Sequence, residues 1–340
     1  MNENIEIVDI ALHYVGNRSS EEGVVVAEHS LKVSEEIVPF LKYFFLSPFK
    51  MEALCNFYHE SELRKNEMYS LTQNIFEDHE LFMQSSSEIA KYLYERSNHP
   101  KIKGGNFFVV LFKNVEVDHQ LVEAIGLFKI ENTENFIRIN RDGINASVVS
   151  ENGVSINKLE KGCLVLNIEK EKGYVVAAID RTSRGAAAKY WIDDFLHIVP
   201  RNDGFNQTKK AVEVCKSYIS SLATHVEKSQ RALMLNRVAK MLKDGTFDIG
   251  TMTEVVFGDA DLSTEFKEYR RHYDGGEDMV EDHFSTEPAA LKRLSFGNLT
   301  NIRLDNNFGI SIRGGENLLE KGFDPEKGMK YYKLYYREEK

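Results

Sequence analysis

The chain has 340 residues, 42% hydrophobic and 28% charged, the balance of an ordinary folded protein with room for two domains. No stretch approaches the roughly 18 apolar residues that a membrane span needs, and the opening MNENIEIVDIALHYVG lacks the basic start and apolar block of a secretory signal. Three scattered cysteines, Cys55, Cys163 and Cys215, argue against a disulfide framework and for a reducing cytosol, and the clustered Cys and His spacing that structural zinc needs is missing.

In chain order, IEIVDIALHYV (5–15) and GVVVAEHSLKV (23–33) read as strands, joined by the turn-like GNRSSEEG. SEEIVPFLKYFFLSPFK (34–50) reads as a helix with Ser34 as its N-cap and Pro48 as its stop. One long helix is expected across MYSLTQNIFEDHELFMQSSSEIAKYLYERS (68–97), with Ile75, His79, Phe82 and Met83 on one face. A β-rich middle follows. NFFVVLFKNVEV, HQLVEAIGLFKIEN and NFIRINRD are strand-like with short polar turns, and GCLVLNIEKEKGYVVAAIDR reads as a hairpin with a charged tip. Strands this close in sequence predict a mixed, largely antiparallel sheet flanked by helices, hence an α+β fold.

Asp180 to Leu196, DRTSRGAAAKYWIDDFL, reads as a packing helix capped by Ser183. Ala188, Trp191 or Ile192, Phe195, Leu196 and Val199 form its apolar stripe. Asp193 and Asp194 are consecutive, about 100° apart on a helix, and do not converge as a catalytic pair. PRNDGFNQ (200–207) is the best boundary, dividing residues 1–199, an α+β domain, from 200–340, a helical region with a small C-terminal β unit. Beyond it, TKKAVEVCKSYISSLATHV, capped at Thr208, KSQRALMLNRVAKMLKDG, and STEFKEYRRHYDGG, capped at Ser263, read as helices. NIRLDNNFGISIRG and MKYYKLYYREE return to strand character.

Signatures of chemistry are missing. There is no Walker-type phosphate loop, no dinucleotide glycine fingerprint, no nucleophile elbow and no His-Glu-x-x-His pair. DADLSTEFKEYR, from Asp259, starts like a calcium loop but has Thr264 in place of the turn glycine and Arg270 in place of the bidentate glutamate. The ten histidines are scattered. No catalytic residue, metal ligand or cofactor is assigned on these grounds, and the chain is read as non-enzymatic.

Charge is distributed in blocks, and the total of −10 hides them. Residues 200–245 carry 9 basic and 4 acidic side chains, whereas 246–290 carry 3 and 12. An acidic chain that binds nucleic acid must gather its cations locally, because phosphate neutralisation supplies most non-specific affinity. The candidates are Lys209, Lys210, Lys216, Lys228, Arg231, Arg237, Lys240 and Lys243, with Lys209 and Lys210 placed in a first helical turn where backbone amides also favour anions. Arg181 and Arg184, with Lys189 beside them, form a second set at the start of the Trp191 helix, where cations need an anionic neighbour.

Four segments in this order, IVDIALHYV, KGGNFFVVLF (103–112), KYWIDDFLHIVPRNDGFNQTKKAVEVCKSY (189–218) and GNLTNIRLDNNFGISIRGG (297–315), resemble the bacterial nucleoid-associated family often called NdpA. The resemblance covers nearly the whole chain but consists of hydrophobic and glycine positions without a catalytic motif. In the family a glycine usually follows the Phe-Leu of the third block; His197 stands here, which predicts a differently shaped turn. The resemblance implies a place on the bacterial nucleoid in the cytoplasm and association with double-stranded DNA or nucleoid proteins. A homo-oligomer is compatible with the sequence. The competing readings are a protein-interaction module without direct DNA contact and, less favoured, a metal-dependent nuclease.

Overall fold

A computed structural model describes residues 4–181, 190–273, 279–292, 300–313 and 318–339. The chain divides into two compact units, Met1–Arg201 and Asn202–Lys340.

The first unit is built on β1 (Glu6–Val15), β2 (Val24–Val25), α1 (Val38–Leu46), β3 (Cys55–Phe57), α2 (Glu67–Glu77) and α3 (Phe82–Arg96). It continues with β4 (Gly105–Val117), β5 (Gln120–Ile130), β6 (Glu134–Asp142), β7 (Asn145–Gly153), β8 (Lys161–Leu166), β9 (Val175–Asp180) and β10 (Ile198–Pro200). Eight strands form one sheet in the order β10-β3-β9-β8-β5-β4-β1-β2. Every pairing in it is antiparallel. The period-2 alternation of the apolar runs sends successive residues to opposite faces. Phe107, Val109 and Leu111 of β4, Ile125 and Leu127 of β5, and Cys163 and Val165 of β8 meet α2, α3 and Trp191. Val110 and Phe112, Phe128, Leu164 and Leu166 meet α1 on the other side. There Phe45 stacks on Phe128 with ring centroids 4.3 Å apart, a contact worth about 0.5–1.5 kcal/mol beyond its burial.

Several local expectations are corrected. The single helix expected across 68–97 is two helices, because Asp78 is extended and its side chain accepts from the Glu80 amide at 2.9 Å, capping a new turn. Ser34 caps nothing; α1 begins at Val38 after an uncapped Ile37, with Pro39 in the first turn, where a missing N–H costs nothing. Of GVVVAEHSLKV only Val24–Val25 is a strand. The chain from 190 to 196 is a π-helix whose Trp191, Phe195 and Leu196 are buried; it ends before Val199, which is exposed on β10. The expected cap Ser183 lies outside the described residues.

The second unit contains α4 (Gly204–Ser221), α5 (Lys228–Met241), β11 (Thr246–Asp248), α6 (Ile249–Phe257), α7 (Ala260–His272), β12 (His283–Ser285) and α8 (Pro288–Lys292). It closes with the hairpins β13–β14 (Asn301–Leu304, Phe308–Ser311) and β15–β16 (Leu319–Asp324, Met329–Leu334). The cap of α4 is Asp203, which accepts from the Asn206 amide at 2.9 Å. Thr208 sits a turn inside, its hydroxyl donating to the Gly204 carbonyl at 2.6 Å. Likewise α7 is capped by Asp259, not Ser263; the residue that opens the failed calcium loop is a helix cap. α5 lies between two cores, giving Met234, Leu235 and Val238 to the helices and Ala232 to a cluster with Ile302 and Ile312.

Candidate nucleic-acid interface

The predicted cations fall into separate places. Lys209 is exposed on α4 and lies 4.0 Å from Glu213, one helical turn on. Lys210 and Lys216 are half-buried on the same helix. Because α4 begins at Gly204, Lys209 and Lys210 stand in its second turn, and the free amides of the N-terminus are not theirs to share. Lys209, Glu213 and Lys216 follow i, i+4, i+7 spacing, so a carboxylate sits between the two lysines on one face.

The cations of α5 do not form a single face. Lys228 and Arg237 are nine residues apart, as are Arg231 and Lys240, and at about 100° per residue each such pair points to opposite sides. Lys228 with Arg231 makes one group, Arg237 with Lys240 another. Arg237 has a structural duty: its Nη1 donates to the Val256 carbonyl at 2.9 Å, capping the C-terminal end of α6, where a cation is favoured by the helix dipole. Arg237 and Lys240 line a cleft of about 530 Å³ with Met241, Asp244, Thr251 and Val255.

A second cleft, of about 450 Å³, has no counterpart in the sequence reading. Arg303, Leu304, Asp305, Lys321, Met329, Lys330 and Tyr332 line it, three cations against one carboxylate. Lys321 also pairs with Glu227, just ahead of α5. The cations come from two successive hairpins, β13–β14 and β15–β16. The available signal was the strand-like MKYYKLYY, whose period of two puts Lys330 and Tyr332 on one side of β16.

Arg181 is exposed just after β9, and its backbone amide donates to the Glu160 carbonyl at 2.9 Å. Arg184 and Lys189 lie outside the described residues.

A third constellation lies in the first unit and was missed altogether. Asp180, Lys161 and Lys129 are successive cross-strand partners on β9, β8 and β5. Two buried lysines thus stand side by side, which Coulomb repulsion forbids without counter-charge. Glu131, two residues beyond Lys129 and on the same face, supplies it: its Oε1 lies 3.5 Å from Lys129 Nζ and 3.4 Å from Lys161 Nζ. Lys161 Nζ is also 3.4 Å from Asp180. Tyr190, from the start of the π-helix, donates to Glu131 at 3.1 Å. Lys129 Nζ donates to the Lys103 carbonyl at 2.8 Å. Burial pulls the Lys129 pKa down to about 8 against the attraction of Glu131, and burial pushes the Tyr190 phenol up. With both lysines and both acids buried, the cluster clasps three strand ends to the π-helix. The clue was parity, because Lys129 shares the strand face of the buried Ile125 and Leu127.

His197, at the family's glycine position, has φ +50. That is the left-handed region, which glycine adopts without strain. Its carbonyl accepts from the Tyr58 amide at 3.1 Å and from Asn66 Nδ2 at 3.0 Å.

Among the described residues no helix is long and apolar enough to cross a membrane, and no group of three or more His, Cys, Asp or Glu could hold a metal ion. Fold and clefts together define a two-unit α+β protein that gathers cations locally on an acidic chain. Residues 11–326 match the family model described as Nucleoid-associated protein YejK, and the chain belongs to this bacterial nucleoid-associated family. A search of curated proteins found no match.

Proposed function

We propose that the protein binds double-stranded DNA directly on the bacterial nucleoid, in the cytoplasm, with little sequence preference and without catalysis. The observation that carries this reading is the pair of cation-lined clefts in the second unit, one with Arg237 and Lys240 and one with Arg303, Lys321 and Lys330. Membership in a nucleoid-associated family supports it. Phosphates are recognised by such local concentrations of cations whatever the net charge of the chain. Lys209, Lys210 and Lys216 on α4, and Arg231 on the side of α5 away from Lys240, are further candidates apart from these clefts, as are Arg181, Arg184 and Lys189.

A gel shift on duplex DNA between roughly 50 and 200 mM salt tests it. Retardation is expected at the low end and loss at the high end. Lys240→Glu with Lys330→Glu should weaken binding on every sequence and lower the salt slope by about two; Lys209→Glu with Lys210→Glu tests the α4 surface in the same way. No retardation at low salt refutes direct binding. The same protein incubated with plasmid and Mg²⁺ or Mn²⁺ should leave it uncut. Cleavage abolished by a single carboxylate substitution would overturn the non-catalytic reading.

A second reading is an interaction module that reaches DNA through a partner protein. The acidic block at 246–290, with 12 acids against 3 bases, favours it. It predicts DNA-independent capture of nucleoid proteins by a chain that fails the gel shift.

A further inference from the structure

β6 and β7 form a ribbon outside the eight-stranded sheet. Residues 134–150 are all exposed. Directly opposed residues of an antiparallel pair share a face, so the register sorts the ribbon into two surfaces. One is satisfied within itself: Arg138 pairs with Glu151 at 2.9 Å, and the Phe136 ring lies across Gly153. The other carries Ile137, Ile139 and Val148, which are 70%, 62% and 65% exposed, with Ala146 between them and the tip. Ile144, in the turn, is wholly exposed. The sole charge on this surface is Arg141, and its base is an amide pair, Asn152 Nδ2 donating to Asn135 Oδ1 at 2.9 Å.

A lone two-stranded ribbon is marginal in water, and a contiguous aliphatic face of this kind marks an interaction site. DNA is a poor occupant, because residues 134–153 hold three acids, Glu134, Asp142 and Glu151, against Arg138 and Arg141. We infer that the face is a homodimer contact, in which two copies of the ribbon pack face to face and antiparallel about a twofold axis that passes between Ile137 and Ile139. A twofold contact must be complementary to itself. An acid-free aliphatic surface meets that condition along its length. The single charge selects the direction: antiparallel packing sets Arg141 over the amide oxygens of the partner's Asn135 and the partner's Asn152, whereas parallel packing would oppose two arginines. A nine-residue strand is about 30 Å long. Packing such a face on its copy, tips included, removes on the order of 1,000 Å² from water, about the size a specific interface needs.

The test is the mass of the full chain in solution, by sedimentation velocity and by light scattering after gel filtration, over about 1–50 µM. Twice the 39.0 kDa chain mass is expected. Ile139→Glu with Val148→Glu should weaken the dimer roughly 100-fold, because it buries unpaired carboxylates, and should leave circular dichroism unchanged. Asn140→Asp with Ser147→Asp, on the opposite surface, should remain dimeric. Ile139→Cys should form a disulfide-linked dimer on mild oxidation and Asn140→Cys should not. A monomeric wild type across the range overturns the inference, as does dimerisation unaffected by Ile139→Glu with Val148→Glu, or cross-linking through Asn140→Cys. A wild type that stays monomeric while a different protein binds this face overturns it equally.

Discussion

Acidifying the solution from about pH 7 to about pH 4 sets a proton demand on His13 that the folded first unit resists. His13 is 2% exposed on β1. Its Nδ1 accepts from the Ala27 amide at 3.0 Å, and its Nε2 is buried with no hydrogen-bond partner among the described residues. Burial lowers its pKa from 6.5 to about 4. The unfolded chain therefore binds the proton near 6.5 and the folded chain only near 4. Between these values the unfolded state holds more protons, so stability falls as pH falls, and the loss is complete near 4. At about 1.36 kcal/mol per pH unit the gap amounts to ~3 kcal/mol, or roughly 6–12 °C in melting temperature for a unit of this size. The chain's one tryptophan, Trp191, is fully buried in the same unit and reports its unfolding by fluorescence. His13→Asn is the reference, since its amide oxygen can stand where Nδ1 accepts the Ala27 amide. Carboxylates titrate in both proteins and cancel in the difference. The wild type should lose about 3 kcal/mol relative to His13→Asn between pH 7 and 4. Parallel stability curves would refute the reasoning.

Asn66→Ala should cost about 3 kcal/mol, because Asn66 both caps α2 through the Tyr69 amide at 2.9 Å and donates to the carbonyls of Tyr58, Leu196 and His197. Asn66→Asp, which keeps the cap and loses the donor, should recover part of that in the same fluorescence assay. Lys129, held down to about 8 by burial, loses its proton before an unfolded lysine does. The unfolded state then holds more protons between pH 8 and 10, and the wild type should gain stability over Lys129→Met across that window; a falling difference would contradict the buried charge. Arg237→Ala should destabilise the second unit by about 1–2 kcal/mol through the lost α6 cap. Lys240→Ala should leave thermal stability unchanged, so in a paired melting and gel-shift series any loss of DNA retention by Lys240→Ala belongs to binding alone.

His79 shows why some of the fold was not legible in the sequence. The predicted helical stripe Ile75, His79, Phe82, Met83 holds for Ile75 and Phe82, which are buried. His79 instead sits in a short turn, 3.2 Å from Glu123 of β5. Apolar period carries through a helix break unseen, while the break depends on whether Asp78 finds an amide to cap. The same competition moved the start of α4 from Thr208 to Asp203. That shift decides whether Lys209 and Lys210 sit among free amides, so a cap misplaced by one turn changed the argument for a site.

By itself the sequence determined the α+β class, the hairpins of β4–β5 and β8–β9, the packing role of the Trp191 segment, and the family. Each rests on local period, turn chemistry or motif order, which operate over a few residues. Only tertiary structure decided which charges meet. Lys129, Lys161 and Asp180 are 32 and 19 residues apart in the chain and adjacent in the sheet. The cleft of Arg303, Lys321 and Lys330 is assembled from two hairpins. The strand pattern of NFIRINRD does not say whether Ile137 and Ile139 are covered, and the fold leaves them in solvent. Electrostatics and burial are properties of distances through space, and strand register sets those distances across the whole chain.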